Sequence, residues 1–418
     1  MKADPSRQRS DVQTRLAMRA GEACVHLYPS PLTHESRMAR ICDAMEKLGA
    51  FKSILWVGVG REDLPERERL TSIQERLRIA RPGERIPGLL GRVCKTLGWT
   101  WRTYRHLRGQ AVSCINAHSL PVLPLAVALR WRHRARLIYD THELETETTA
   151  SKGVRRPLLR WLERTLIRYA DGVGVVSPGI AEWYRNAYGL EDVLVARNIP
   201  KRGPGGGTVA RTDRLRESFG IGPAELVFLY QGVLGPGRRI EQLLRVFASV
   251  PLDRHVIFMG YGPWEERVWD AAKNRSNIHH LSAVGPEHVL EHTAGADVGL
   301  CGVENTCLSY YLSLPNKLFE FLAAGVPPIV PDYPEMRKVV LSHRCGWVVG
   351  EDDEDWRRLV SGLDSNTLAG VRAEAARAAT EFVWEKDEAD LLAWYRRRFS
   401  YPKMAVRPRA TERERRSD

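Results

Sequence analysis

The segment Ser313-Leu-Pro-Asn-Lys-Leu-Phe-Glu-Phe-Leu-Ala-Ala-Gly325 carries the densest chemical signal in this 418-residue chain. Pro315 stands where a helix begins, with Ser313 or Leu314 near its N-cap. Leu318, Phe319, Leu322 and Ala323 give that helix an apolar face, and Gly325 stops it before a buried strand. A helix that starts after a loop presents unpaired N–H groups to an anion. Lys317 adds a cation in the first turn, which the helix dipole disfavours unless an anion is bound. Asn316, Lys317 and Glu320 fall near one face, so a phosphate can meet the helix start while Glu320, one turn in, accepts bonds from sugar hydroxyls. The same residues also suit a capped structural helix with an internal Lys–Glu pair.

Two glycine-rich turns point to the same kind of ligand. Gly232-Val-Leu-Gly-Pro-Gly-Arg-Arg239 follows an apolar run and opens a helix at Ile240. Glycine lets backbone approach a ligand closely, and Arg238 and Arg239 are bidentate phosphate donors. Gly260-Tyr-Gly262-Pro follows another apolar run. In the first half, Asn116-Ala-His118 and Tyr139-Asp-Thr-His-Glu143 end two more runs in polar groups. Asp140, His142 and Glu143 are ligand types, but one loop without a distant partner makes a poor metal site, and none is expected. Neither G-x-S-x-G nor H-E-x-x-H occurs, which leaves hydrolase templates unsupported.

The elements that must position these groups are short apolar runs separated by helical patterns. The runs cover 23–28, 54–59, 111–116, 136–140, 172–177 and 193–196, then 226–231, 255–260, 278–281, 297–301, 328–330 and 347–350. Near-continuous apolar runs read as parallel strands buried on both faces, and intervening helices make βαβ units. Two open α/β sheets follow, one per half, with their ligands at the carboxyl ends of the strands. Residues 61–85 are highly charged and read as helical. Residues 97–108 interleave Trp and Tyr with Arg, and 155–168 set Leu158, Leu159, Leu162 and Leu166 beside a ridge of arginines. Both stretches suit either a solvated surface helix or an interfacial one.

The division of the chain is legible. Residues 1–20 and 402–418 are charged and read as flexible; 21–200 form one domain, and 201–212 a Gly/Pro-rich linker. Residues 213–383 form a second domain, and 384–401 a last helix that either crosses back to the first domain or packs on the second. The net charge is +12, and it is unevenly placed: residues 1–200 hold 33 Lys+Arg against 21 Asp+Glu, while 201–418 hold 30 of each. The first half therefore faces something anionic. No recognised nucleic-acid module is present, so nucleic acid is not the expected partner. Seven cysteines without a C-x-x-C pair argue against a disulfide scaffold. No apolar stretch approaches the ~20 residues a membrane span needs. A cytoplasmic protein is expected, peripheral on the inner face of the cell membrane where its basic half meets lipid.

Taken together, these motifs resemble the retaining GT-B glycosyltransferases of glycosyltransferase family 4. The resemblance runs from about residue 22 to 400 and rests on the order Asn116-Ala-His118, Tyr139-Asp-Thr-His-Glu143, Val175-Val-Ser177, Arg197-Asn198, Gln231-Gly232 through Arg238, Gly260-Tyr-Gly-Pro263, Ala294-Gly-Ala-Asp297 and Pro315 through Gly325. It implies two Rossmann-like domains facing a central cleft, the second binding a UDP- or GDP-linked sugar and the first binding the acceptor. The acceptor is a glycan, a lipid-linked sugar or a small molecule, as in the building of cell-envelope glycans. By position, Arg238 matches the diphosphate clamp, Glu320 the ribose carboxylate, Val284 the contact to the base, His118 the histidine beside the donor sugar and Asn198 the hinge. Gly232, Arg239, Gly260, Gly262, Ser313, Asn316 and Leu318 complete the donor candidates, with Lys317 among the catalytic ones. Asp140, His142 and Glu143 are the acceptor-side ones.

The chain departs from the pattern twice. Val233 stands where the family often has arginine, and Arg239 is the expected compensation. Leu312 stands eight positions before Glu320, where the family has a first glutamate; Glu304 is the nearest upstream acid. With no Asp-x-Asp metal site, leaving-group charge falls to Arg238, Arg239, Lys317 and the helix start. A GT-B sugar-nucleotide epimerase and an inactive transferase-like scaffold are the alternative readings.

Overall fold

The computed structural model describes residues 22–33, 35–81, 88–201 and 208–400. The expected flexible ends and residues 202–207, half of the expected linker, lie outside the described residues.

The first sheet is built from β1 (Ala23–Leu27), β2 (Ser53–Val59), β3 (Arg67–Arg69), β4 (Gln74–Ile79), β5 (Val112–Ala117), β6 (Arg136–Asp140), β7 (Gly172–Val175) and β8 (Val193–Val195). Their order is β3-β4-β2-β1-β5-β6-β7-β8, parallel except for β3 against β4. The second contains β9 (Leu226–Val233), β10 (Arg254–Tyr261), β11 (Ile278–Ser282), β12 (Val298–Leu300), β13 (Pro328–Pro331) and β14 (Trp347–Val349), in the order β11-β10-β9-β12-β13-β14. The all-apolar runs in the sequence are strands covered on both faces. The charged stretch 61–85, read as helical, instead holds the β3–β4 pair; residues 82–85 lie outside the described residues. At a sheet edge, alternation of Arg and Glu satisfies cross-strand partners: Arg67 pairs with Glu75 at 2.8 Å and Arg76 with Glu68 at 3.2 Å, while Leu77 and Ile79 point inward.

The strand order reverses direction between β1 and β5 in the first sheet and between β9 and β12 in the second. Open α/β sheets bind ligands at such switch points, beyond the carboxyl ends of the strands. The polar ends of the runs fall at those edges. One close approach there requires glycine: a Cβ on Gly260 would lie 1.9 Å from the Gly232 carbonyl oxygen.

One side of the first sheet carries the helices Gly88–Leu107, Leu123–His133, Arg155–Ile167 and Pro178–Tyr188, whose inward residues share one apolar cluster with the strands. The other side carries Ser36–Leu48 and the last helix, Trp384–Ser400. The last helix thus crosses back to the first domain. Trp394 donates to Asp192 at 3.2 Å, the Tyr395 hydroxyl donates to Asn116, and Lys47 pairs with Glu388 at 2.8 Å. Burial of roughly 150–250 Å² by each aromatic ring, at roughly 25 cal/mol per Å², puts several kcal/mol into this docking.

Candidate active site

A cavity of about 520 Å³ opens between the two switch points. Its second-domain wall begins with the eight-residue helix Asn316–Ala323. Pro315 is its N-cap residue rather than its first helical residue, and the side chain of Asn316 is exposed in the cavity. Leu318 donates its backbone N–H to the Pro315 carbonyl and buries its side chain in the core. It therefore contributes packing, not a ligand contact. Ser313 lines the cavity, and its hydroxyl donates to the Tyr310 carbonyl at 2.8 Å.

Three charged side chains of this domain face the cavity. Lys317 lies over the Tyr230 ring, 3.8 Å from its centroid, and no hydrogen bond satisfies its ammonium. Burial, reinforced by Arg238, pulls its pKa down to about 7. Arg238 lies over the Tyr310 ring at 4.9 Å. Glu320 accepts from the Gln231 amide at 2.5 Å; burial raises its pKa while Gln231, Lys317 and Arg40 oppose that rise. Gln231 is itself held by the Thr293 hydroxyl at 2.9 Å. Gly232, Gly260 and Val284 line the cavity beside them, whereas Gly262 is not part of its lining.

Arg239 does not compensate for Val233. It takes a left-handed φ of 55° at the N-cap of the helix Ile240–Ser249 and turns into the protein. There its guanidinium donates to Gln242 at 2.6 Å, the Tyr333 hydroxyl at 2.9 Å and the Val303 carbonyl at 2.8 Å. Glu304 accepts the Arg239 backbone N–H at 2.9 Å and is likewise structural.

The first domain supplies a buried relay. Asn116 donates its amide to His26 Nε2 at 3.4 Å, and His26 Nδ1 meets His118 Nε2 at 2.9 Å. His118 Nδ1 lies 3.1 Å from Asp140 Oδ2 and 3.2 Å from His142 Nε2. Asn116 Nδ2–H makes His26 Nδ1 the donor to His118 Nε2, which leaves His118 Nδ1 as the donor to the Asp140 carboxylate. His142 lines the cavity, and no hydrogen bond holds its Nδ1 among the described residues. His118 is 0% exposed and does not reach the cavity. Burial pushes its pKa down, so it stands neutral behind His142. The imidazole in the cleft is therefore His142.

Asp140 anchors this relay. Burial alone would raise its pKa, but Arg37 and the two histidines hold it well below the usual carboxylate range. Arg37, on the helix Ser36–Leu48, grips both Asp140 oxygens and donates to the Ala196 carbonyl. His118, Asp140 and His142 bring three ligand-type atoms within 4.8 Å, with His118 in the place expected of Glu143. A divalent ion there would meet the Arg37 charge. Glu143 lines the cavity; desolvation there raises its pKa and Arg238 opposes that. Asn198 lines the cavity with its side-chain oxygen buried and unsatisfied. Arg37 and Arg40 escaped the sequence reading. Their signal is the i, i+3 pair of arginines on the helix after β1, at the switch point.

The two walls touch beside the cavity. Leu144 donates its N–H to the Ser309 hydroxyl at 3.1 Å, and the Ser177 hydroxyl donates to the Leu312 carbonyl at 2.7 Å.

Comparison with known proteins agrees with this geometry. The profile described as "Glycosyl transferase 4-like domain" matches residues 34–199, and that of "Glycosyl transferases group 1" matches residues 211–379. The chain belongs to the GT4-like, group 1 glycosyltransferases. It is 27% identical over 202 residues to a D-inositol 3-phosphate glycosyltransferase of Rhodococcus erythropolis, a match that spans 44% of each chain and so under half of that curated relative. Among solved structures, sucrose-phosphate synthase from Thermosynechococcus elongatus superposes with a TM-score of 0.71 at 13% identity, over 91% of this chain and 99% of that one. Anabaena HepE in complex with UDP-glucose gives 0.67 at 12% identity, over 89% and 99%. At such identities the likeness is one of fold, and the fold is GT-B. Within this group 1 chain, Leu312 packs its side chain against the apolar cluster of the first domain. The position of the expected glutamate is thus an interdomain contact.

Proposed function

We propose that this protein transfers a sugar from a nucleotide-diphosphate donor to an acceptor hydroxyl, with retention of anomeric configuration and without a metal ion. One observation carries the reading: Lys317 and Arg238, neither in an ion pair among the described residues, stand at the helix start Asn316–Lys317 in a cleft that also holds Glu320. An arginine without a counter-ion and a buried lysine that a bound anion would protonate, both at a helix N-terminus, suit a diphosphate. Glu320, fixed by Gln231, suits the ribose hydroxyls, and Ala283 and Val284 suit the base. HepE, of the same fold, was solved with UDP-glucose, which supports a nucleotide-sugar donor.

In the reaction, the acceptor oxygen bonds to the anomeric carbon as the bond to the diphosphate oxygen breaks on the same face. The acceptor proton passes to the leaving phosphate oxygen. Lys317 and Arg238 stabilise the charge that develops there, and the His142 ring in the cleft hydrogen-bonds a sugar or phosphate oxygen. The bidentate hold of Arg37 on Asp140 favours a hydrogen-bonded role for the His118–Asp140–His142 group, so transfer should survive chelation of divalent ions. The +12 charge of residues 1–200 favours an acceptor that is lipid-linked or held at a membrane. No helix among the described residues is long and apolar enough to cross one.

Leu312 supports a second reading, an inactive scaffold. Thermal shift against a panel of nucleoside diphosphates, followed by transfer assays with the nucleotide sugar that binds, separates the two. Stabilisation by one diphosphate and sugar transfer, abolished by Arg238→Ala, is the expected result. Binding without transfer or donor hydrolysis selects the scaffold, free epimerised donor selects an epimerase, and no stabilisation by any diphosphate overturns the proposal.

A further inference from the structure

Twelve large apolar side chains are exposed among the described residues, and seven of them belong to one layer of the first domain. They stand on, or at the start of, three helices: Gly88–Leu107, Leu123–His133 and Arg155–Ile167. The first packs against the second and the second against the third. All three bury their inner faces in the same cluster, through Trp99, Leu125, Leu129 and Ile167 among others. Their outer faces are not what a solvated helix layer should show. Trp101, Trp131 and Trp161 are 58%, 60% and 62% exposed, and Leu97, Leu158 and Val154 are exposed beside them.

The spacing makes these residues stripes. Val93, Leu97 and Trp101 follow i, i+4, i+8, while Val154, Leu158 and Trp161 follow i, i+4, i+7, so each set lies on one face of its helix. Trp131 lies between them in the layer, its ring edge-on to Tyr169 at 5.2 Å, just beyond the end of the third helix.

Charge says what covers this face. The first two helices contain no Asp or Glu. The third contains only Glu163, which is buried and accepts hydrogen bonds from Tyr139, Tyr184 and Tyr188. No exposed carboxylate therefore stands on the three helices. Arg156 and Arg160 pair with the buried Glu147. Lys95, Arg102, Arg105, Arg132, Arg155 and Arg164 have no ion pair among the described residues. Exposed tryptophans and leucines interleaved with unpaired arginines, with no acid, match an anionic lipid–water interface: indole rings at headgroup depth and guanidinium groups on phosphates.

We propose that this three-helix face docks the protein on an anionic bilayer. Each helix follows a strand of a parallel sheet, so each begins at the cleft edge and runs away from it. A bilayer lying along the face therefore has the cleft mouth at its surface, where a membrane-held acceptor would enter. The proposal rests on that reading of the acceptor, yet it is tested without any transfer assay.

The experiment is co-sedimentation of the full chain with vesicles of phosphatidylcholine containing phosphatidylglycerol, and with vesicles of phosphatidylcholine alone, at low and high salt. Two variants accompany it: Trp101→Ser/Trp131→Ser/Trp161→Ser, and Arg105→Gln/Arg132→Gln/Arg155→Gln. All six positions are surface ones, and their thermal shift with a nucleoside diphosphate reports folding and donor binding separately. The wild type binds the anionic vesicles and is released by salt; each variant loses at least ~tenfold in vesicle affinity and keeps the wild-type thermal shift. Wild-type vesicle binding by the tryptophan variant overturns the proposal, as does a wild type that stays in the supernatant. Equal competition by a short nucleic-acid duplex against both wild type and tryptophan variant overturns it too, because the face would then be a polyanion site. A lost diphosphate shift in the wild type, with vesicle binding intact, sinks the donor reading and leaves this one standing.

Discussion

The ammonium of Lys317 lies 3.8 Å from the centroid of the Tyr230 ring and makes no hydrogen bond. Burial and the nearby Arg238 bring its pKa to about 7, so in the free protein near pH 8 it is largely neutral. A diphosphate at the helix start supplies the missing countercharge and raises that pKa. Donor binding at pH 8 should therefore take up close to one proton. Calorimetry in two buffers of different ionisation enthalpy measures it, and Lys317→Met should abolish the uptake. Buffer-independent heats in the wild type would show that the lysine stays out of the phosphate site.

The same lysine gives the free protein a pH signature. Its folded pKa, about 7, lies below the ordinary 10.5. Between those values the unfolded chain holds a proton that the native chain has released, so stability rises with pH. The cost of the lysine to the native state is fully present below pH 7 and fades as pH rises towards 10.5. Denaturation midpoints of wild type and Lys317→Met should accordingly converge at high pH and separate near neutrality, by on the order of a few kcal/mol.

The two histidines separate folding from function. His118→Ala deprives Asp140 and His26 of buried partners, at about 1–3 kcal/mol for each unsatisfied group. Its main effect should be a lowered Tm. His142→Ala removes a group at the cavity wall and should cost under about 1 kcal/mol in stability while cutting kcat/KM by roughly 10²-fold. The converse outcome, a stable but inactive His118→Ala, would return the cleft role to His118.

Much of this arrangement was legible from local pattern. Twelve of the fourteen strands read directly because their residues are apolar on both faces. The β3–β4 pair did not, because Arg67, Glu68, Arg69 and Glu75 alternate at a solvated edge and only cross-strand pairing reveals their state. In the site, the helix start at Asn316 and the glycine turns are short-range features and stood out. Arg37 did not, since its partner Asp140 lies 103 residues away. Arg239 read as a ligand cation because residue type does not encode direction; a left-handed backbone turns it inward. His142 rather than His118 lines the cavity for the same reason, because only the folded loop after β6 decides which ring reaches it.

Arg238 and Glu320 should divide the donor between them. Arg238→Ala removes a cation from the developing charge and should lower kcat by roughly 10²–10³-fold. Glu320→Gln keeps the shape and the Gln231 contact but loses the carboxylate acceptor. It should raise the donor KM by roughly tenfold, about 1.4 kcal/mol, with a smaller change in kcat. Steady-state kinetics with the donor varied distinguishes these patterns; equal losses in kcat for both variants would mean that Glu320 acts at the reacting centre.

Leu312 supplies the sharpest departure from its family and the clearest test of why. Its side chain packs on the first-domain cluster, its carbonyl accepts the Ser177 hydroxyl at 2.7 Å, and Cδ2 lies 3.2 Å from where a Cβ on Gly179 would sit. Restoring the family glutamate with Leu312→Glu would press a carboxylate into an apolar contact between the domains. Desolvation of that charge costs several kcal/mol unless the domains part. The variant should therefore bind the nucleoside diphosphate as before, since Arg238, Lys317 and Glu320 are untouched, but transfer sugar more slowly. Leu312→Met, which keeps the volume, should stay within a factor of a few of wild type. Faster transfer by Leu312→Glu would mean that the position still faces the donor sugar and that the apolar contact is incidental.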